Sequence, residues 1–241
     1  MKLEFLGTRG YIEPRNRRHR MHSALMVSYY GKRVLIDCGE DWLGELEALN
    51  PHAIVVTHAH PDHAWGLKEG APCPVYATEI SWEKEMESYD IEEREVMPAR
   101  EPVEIAGITF EAFPVDHSTR APAVGYRVIA GEVTIFYVPD VVWIRDREAA
   151  LSGAKVYVGD GATITRSMVR KIDDNLIGHV PIRTQLTWCQ KEGVPRAIFT
   201  HVGSEIVKGD ERSLGPKVQE LAEERGVEAQ IAHDGMEEVL R

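Results

Sequence analysis

The sequence predicts a layered α/β domain, and three observations lead there. Short apolar runs rich in β-branched residues dominate the early chain, as strands require. Helical patterns alternate with such runs in the later chain. The 241 residues are 43% hydrophobic, enough for a real core in one large domain or two small ones. No linker, repeat or low-complexity segment divides the chain, so residues 1–241 read as one domain.

The elements follow in order. Leu3 to Leu6 is a strand, broken by Gly7-Thr8-Arg9-Gly10, and a polar loop runs on to His22. Ala24 to Val27 and Val34 to Ile36 form a hairpin turning near Gly31. Trp42 to Leu49 reads as an amphipathic helix stopped by Pro51. Ala53 to Thr57 is a buried strand, and Ala64-Trp65-Gly66-Leu67 starts a helix. Val75 to Ala77 is a short strand, and Glu79 to Tyr89 a charged helix facing solvent. Val103 to Ile105 pairs with Ile108 to Phe113, and Val124 to Ile129 with Val133 to Val138. Val156 to Gly161 is a strand with its loop, and Gln185 to Gly193 an amphipathic helix. Arg196 to Thr200 is a strand, Leu214 to Arg225 a surface helix, and Gln230 to Ala232 a short last strand.

Composition narrows the function classes. Cys38, Cys73 and Cys189 form no close pair, which argues against a disulfide framework or cysteine zinc ribbon and fits a reducing, cytoplasmic setting. The N-terminus has no apolar signal core, and no apolar run nears the roughly 18 residues of a membrane span. A net charge of −11 repels polyanions, so nucleic acid is not the default partner. Arg15, Arg17, Arg18, His19 and Arg20 are a local basic exception, either a solvated loop or an anion-attracting rim.

The chemistry centres on Thr57-His58-Ala59-His60-Pro61-Asp62-His63. His58 and His60, two apart on extended chain, point the same way. Asp62 and His63 follow the turn at Pro61. A strand end feeding a helix start can thus aim two ligand pairs at two adjacent points. Imidazole and carboxylate suit Zn²⁺, Mn²⁺ or Fe, whereas Mg²⁺ and Ca²⁺ prefer oxygen shells. Polar residues recur at later strand ends as His117, Asp140 and His201. Asp37, at another strand end, either orients a ligand histidine or caps the following helix.

The His-x-His-x-Asp-His motif resembles the signature of the metallo-β-lactamase superfamily. That resemblance implies an αβ/βα four-layer sandwich with two metals at one edge. It assigns His58, His60 and His117 to one metal, Asp62, His63 and His201 to the other, and Asp140 to both. Phe5-Leu6-Gly7-Thr8 with its arginine-rich loop, Leu35-Ile36-Asp37-Cys38-Gly39-Glu40, and His117-Ser118 before Gly125-Tyr126 resemble the ribonuclease Z and phosphoribosyl cyclic phosphodiesterase branch. So does Gly178-His179, which stands 22 positions ahead of His201, where that branch carries a catalytic histidine. Three features depart from ribonuclease Z. Only 23 positions separate His117 from Asp140, too few for its long RNA-binding arm. Asp160-Gly161-Ala162-Thr163 replaces its His-Glu-Ala-Thr. Thr200-His201-Val202-Gly203-Ser204 lacks its usual extension.

The resemblance therefore implies a metal-dependent phosphodiesterase of the cytoplasm. It would cleave a small or cyclic phosphodiester with a hydroxide held between two Zn²⁺ or Mn²⁺ ions, with Asp62 and His179 as catalytic residues. His179 would act as general acid. The alternatives are a ribonuclease Z-like RNA endonuclease and a lactone or thioester hydrolase. A homodimer is implied by resemblance alone. Arg145, Arg166 and Arg170 are candidates to hold a phosphate, and nothing in the sequence selects among them. His22, His52 and His233 match no ligand position.

Overall fold

The structure is a computed structural model that describes residues 1–241, the side chain of Glu211 excepted. The early chain lays down β1 (Lys2–Gly7), β2 (Ala24–Tyr29), β3 (Lys32–Ile36), β4 (Ala53–Val55), β5 (Val75–Ala77) and β6 (Arg94–Val96). Antiparallel pairing joins β1, β2 and β3, and parallel pairing carries the sheet from β3 to β6. The later chain adds β7 (Pro102–Ile105), β8 (Ile108–Asp116), β9 (Ala123–Ala130), β10 (Val133–Tyr137), β11 (Trp143–Ile144) and β12 (Val156–Asp160). Then come the hairpin β13 (Arg170–Ile172) and β14 (Asn175–Ile177), then β15 (Arg196–Thr200) and β16 (Glu228–Ile231). The second sheet runs β11-β8-β9-β10-β12-β15-β16, with β7 paired to β8. The last strand, β17 (Met236–Val239), returns to the first sheet beside β1.

Local chemistry explains the tight turns. Tyr30-Gly31 and Ala106-Gly107 have positive φ at both positions, the twist that two-residue hairpins need. Along β8 and β9, Phe110, Ala112, Tyr126 and Val128 share the core between the sheets, while Phe113, Val115 and Ala123 pack in a second core. The core between the sheets brings Leu3, Phe5, Val27 and Ile36 of the first sheet against Phe110, Tyr126, Ile135 and Val158 of the second. On the outer face of the second sheet lie α4 (Arg147–Leu151), α5 (Ile182–Glu192), α6 (Ser204–Lys208) and α7 (Glu211–Glu223), whose buried Leu151, Leu186, Val207 and Val218 share a core with Tyr157 and Phe199. The outer face of the first sheet packs Leu35 and Ile54 against Trp42, Leu46 and Trp82. Helices outside two facing sheets make the four-layer αβ/βα sandwich.

Several elements are shorter than the sequence predicts. Trp42 to Leu49 is not one helix: Gly44 at φ +78° interrupts it, leaving a 3₁₀ turn at Glu40–Trp42 and α1 (Leu46–Leu49). The helix beginning after the metal motif lasts one α turn, α2 (Pro61–Ala64), before a 3₁₀ turn at Trp65–Leu67. The charged segment forms only α3 (Glu79–Lys84), and Trp82, Met86 and Tyr89 are buried, so it does not simply face solvent. The long helix α5 starts at Ile182, and α7 holds Pro216 inside it. Strands β6, β11, β13, β14 and β17 are absent from the sequence reading, being short or polar. Among the described residues no helix is long and apolar enough to cross a membrane.

Candidate metal centre

Polar side chains converge where strands end. His58 follows β4, His117 follows β8, Asp140 follows β10, Asp160 ends β12 and His201 follows β15. Cross-sheet hydrogen bonds fix this edge: Val124 N donates to Thr57 O, and the buried Tyr126 hydroxyl donates to Val56 O at 2.8 Å. Asp37 and His201 both sit at positive φ, +61° and +51°. Such conformations are uncommon outside glycine and cluster at functional sites. Gly10 has a packing reason: a Cβ there would lie 2.9 Å from the His201 ring.

All seven side chains that the sequence singles out as ligands meet. In one group, His60 Nδ1 lies 3.0 Å from His58 Nε2 and 3.3 Å from His117 Nε2. Asp140 Oδ2 stands 3.3 Å from His58 Nε2 and 3.7 Å from His117 Nε2. In the other, Asp62 Oδ2 is 2.8 Å from His201 Nε2 and 3.6 Å from His63 Nε2, which is 2.8 Å from Asp140 Oδ2. Bonds of about 2.0–2.1 Å to a tetrahedral cation put its ligands roughly 3.3 Å apart. The measured separations bracket that value. His63 Nε2, Asp140 Oδ1 and His201 Nδ1 are also buried without a hydrogen-bond partner. Orphaned buried atoms of this kind are costly, and a bound cation would satisfy them. The donor set and its geometry fit divalent transition metals.

Electrostatics point the same way. Burial opposes charge on His63, yet Asp62, Asp37 and Asp140 outweigh it and push its imidazolium up to about 10. His201 is likewise pushed up to about 10, against burial, by Asp140, Asp160 and Asp62. His60, half-buried and beside His117, falls to about 4 by desolvation and that neighbour's charge. Asp140 is held well below the usual carboxylate range, despite burial, by His201, His117 and His63. A cation competes with those histidine protons.

Asp37 takes the orienting role rather than capping a helix. Its Oδ2 is 2.8 Å from His63 Nδ1, and the carboxylate also accepts from Thr57 N and Thr57 Oγ1. Asp37→Ala is expected to weaken metal binding about 10–100-fold. Competition with a coloured chelator measures this, and unchanged affinity would count against the assignment.

His179 does not cap α5, whose N-cap is Pro181 without a side-chain cap. It reaches the site because Gly178 N donates to His117 O while His117 Nδ1 lies 3.0 Å from Gly178 O. Its Nδ1 is 2.8 Å from Asp160 Oδ2 and 3.1 Å from Asp140 Oδ1. Burial disfavours its charge, but Asp160 and Asp140 hold its imidazolium well above the ordinary histidine range. Asp160 is itself pinned: Ala162 N donates to Oδ1, Val141 N to Oδ2, and Gln185 brackets its backbone. The sequence reading noted Asp160 only as a departure from a motif.

The cleft above these groups has a volume of about 930 Å³, and Tyr11, Trp65, Arg120, Arg166 and Met168 help to line it. Of the three arginines proposed from sequence, only Arg166 lines it. Arg145 pairs with Asp116, and Arg170 lies exposed on β13. Arg120 was missed, because only the fold brings the loop after His117 to the cleft. In the basic loop, Arg15 pairs with Asp41, which also binds the buried Arg9 at 2.5 Å. His22 faces that carboxylate too, His52 accepts from Arg33 N, and His233 Nδ1 meets Asp234 O.

The loop's anchor is Asp234, another residue missed. It accepts from Thr8 N, Thr8 Oγ1, Arg20 N and Met21 N at 2.7–3.0 Å. Asp234→Ala is expected to cost about 3 kcal/mol, since several donors then lose a charged acceptor. Urea denaturation tests this, and a change under about 0.5 kcal/mol, ordinary for a surface site, would refute it.

Fold and site together define a β-lactamase-fold domain with a candidate metal centre at one edge of its sheets. Residues 32–202 match the model of the Beta-lactamase superfamily domain, and the chain belongs to that family. It is 31% identical over 176 residues to the ribonuclease Z of Methanopyrus kandleri, a match covering 64% of this chain and 61% of that protein. The chain thus spans about three fifths of that relative's length. Among solved structures, the metallo-β-lactamase fold protein YhfI from Bacillus subtilis superposes with TM-score 0.74 at 15% identity, covering 98% of both chains. A diphosphatase of the PhnP family gives 0.71 at 19% identity, over 100% of this chain and 98% of that one. The short form of human tRNase Z gives 0.68 at 18% identity over 100% of both.

Proposed function

We propose that residues 1–241 act as one phosphodiesterase domain that binds two divalent transition metals, Zn²⁺ or Mn²⁺, and cleaves a small or cyclic phosphodiester. His58, His60 and His117 would hold one metal, Asp62, His63 and His201 the other, with Asp140 shared. Bound there, such ions lower the pKa of a water and neutralise charge developing on phosphoryl oxygens. The observation that carries the reading is the Asp160–His179 pair beside the ligand cluster. Alkoxides leave poorly without a proton. With Nδ1 held by carboxylates, His179 has Nε2 left to give one to the leaving oxygen. Asp160 positions that ring and keeps it charged. Arg120 and Arg166 would grip the non-bridging oxygens. Free Cys38, Cys73 and Cys189 accord with a cytoplasmic setting.

The test is turnover of bis-nitrophenyl phosphate by protein stripped with chelator and reloaded with Zn²⁺ or Mn²⁺. Activity lost on stripping and regained with either metal is expected; no turnover under any loading would overturn the reading. The 31% identity to a ribonuclease Z favours RNA as a second reading. Cleavage of short RNA, with binding that falls steeply with salt, would replace the small-substrate reading with that one.

A further inference from the structure

Beyond the ligands themselves, the two halves of the chain line the cleft unequally. The half after β8 supplies Arg120, Arg166 and His179, and the half before it supplies Tyr11, Trp65 and Glu85. Tyr11 is 60% exposed, and among the described residues its hydroxyl has no hydrogen-bond partner. A single exposed ring is ordinary on a protein surface. The support under this one is not. Arg9 is buried, and its guanidinium donates to Ile12 O and Arg20 O while pairing with Asp41. Ile12 N closes the turn on Gly10 O at 2.8 Å. Tyr11 therefore stands on a fixed turn beside His201, against whose ring Gly10 packs. Trp65 is half-buried, with Lys68 Nζ 3.2 Å over its ring centroid. Lys68 does not line the cleft, so the covered face of Trp65 turns away from it. Glu85 makes no ion pair or side-chain hydrogen bond among the described residues.

We infer that Tyr11 and Trp65 clamp a nucleobase, so that the substrate is a phosphodiester of a nucleoside. Fixed aromatic rings with a free face stack flat ring systems, and every nucleobase offers such a face. Charge sets the orientation. The phosphate is drawn to Arg120 and Arg166 and repelled by Glu85, so the ring end of the substrate lies toward Tyr11 and Trp65. Glu85 is an acceptor for the N–H groups at a base edge, which a plain phenyl or alkyl ester lacks. Size agrees. The cleft volume of about 930 Å³ falls within the roughly 300–1,000 Å³ of small-molecule sites, and it leaves room for a base beside a ribose phosphate. Tyr11 and Trp65 set affinity and selectivity and take no part in bond breaking. This inference rests on the phosphodiesterase reading above.

Calorimetric titration of the metal-loaded protein with adenosine 5′-monophosphate and with ribose 5-phosphate tests it, since the two differ only in the base. The nucleotide is expected to bind about tenfold or more tighter, the scale of one stacked base. Tyr11→Ala and Trp65→Leu are expected to bring that ratio to within about threefold, and Tyr11→Phe to keep it. Binding of ribose 5-phosphate reports that each variant is folded. Equal affinities in the wild type, or a ratio kept by both Tyr11→Ala and Trp65→Leu, overturn the clamp and spare the phosphodiesterase reading. Binding of neither ligand overturns the clamp whatever the turnover of bis-nitrophenyl phosphate. The expected ratios without any such turnover leave the clamp standing as a nucleotide site and overturn the phosphodiesterase reading.

Discussion

Asp140→Ala is expected to reduce turnover of bis-nitrophenyl phosphate by about 10³-fold or more and to leave less than two equivalents of bound metal. The reason is position. Asp140 is buried, and its two oxygens stand within 2.8–3.7 Å of nitrogens on His58, His63, His117, His179 and His201. Its carboxylate reaches ring nitrogens in both ligand groups. Charge stabilisation by metals supplies several kcal/mol of barrier lowering, and each 1.36 kcal/mol is about tenfold in rate. Asp140→Asn separates charge from shape. The amide fills the same space but brings no charge and turns a donor toward imidazoles, so it too is expected to lose metal. Steady-state kinetics with elemental analysis measure both variants. A rate for Asp140→Ala within tenfold of wild type would remove Asp140 from the centre.

Much of this centre was legible because its first half is local. His58, His60, Asp62 and His63 lie within one strand end and one turn, and a strand's two-residue period orients the first pair without tertiary knowledge. His117, Asp140 and His201 were legible as polar residues ending apolar strands, and the resemblance put them in one set. What stayed hidden depends on long-range pairing. Asp160 faces His179 because β12 pairs in register with β15 and because the β13–β14 hairpin returns the chain beside His117. The two hairpin strands are exposed and too short to carry a hydrophobic period. Arg120 and Asp234 were hidden for the same reason. One reaches the cleft from a loop, and the other ties Thr8, Arg20 and Met21 across most of the chain. Helix lengths failed on local backbone: Gly44 at positive φ cuts a pattern whose apolar spacing runs on past it.

His179→Ala is expected to lose about 10²–10⁴-fold in turnover, the scale of a lost general acid, and the loss should depend on the leaving group. Nitrophenolate departs without a proton, so bis-nitrophenyl phosphate should show the smaller loss. An alkyl or ribose ester releases an alkoxide and should show the larger one. Comparing wild type and variant across esters of rising leaving-group pKa separates chemistry from support. If His179 donates the proton, the ratio of the two rates climbs along the series. If it only props His117 through the backbone contacts at Gly178, the ratio stays flat. Asp160→Asn should follow the same trend less steeply, because the ring keeps its place but loses the carboxylate that favours its charged form. A flat ratio for both variants would return His179 to a structural role. The thioester reading would then regain its standing, since a thiolate leaves without the proton that an alkoxide needs.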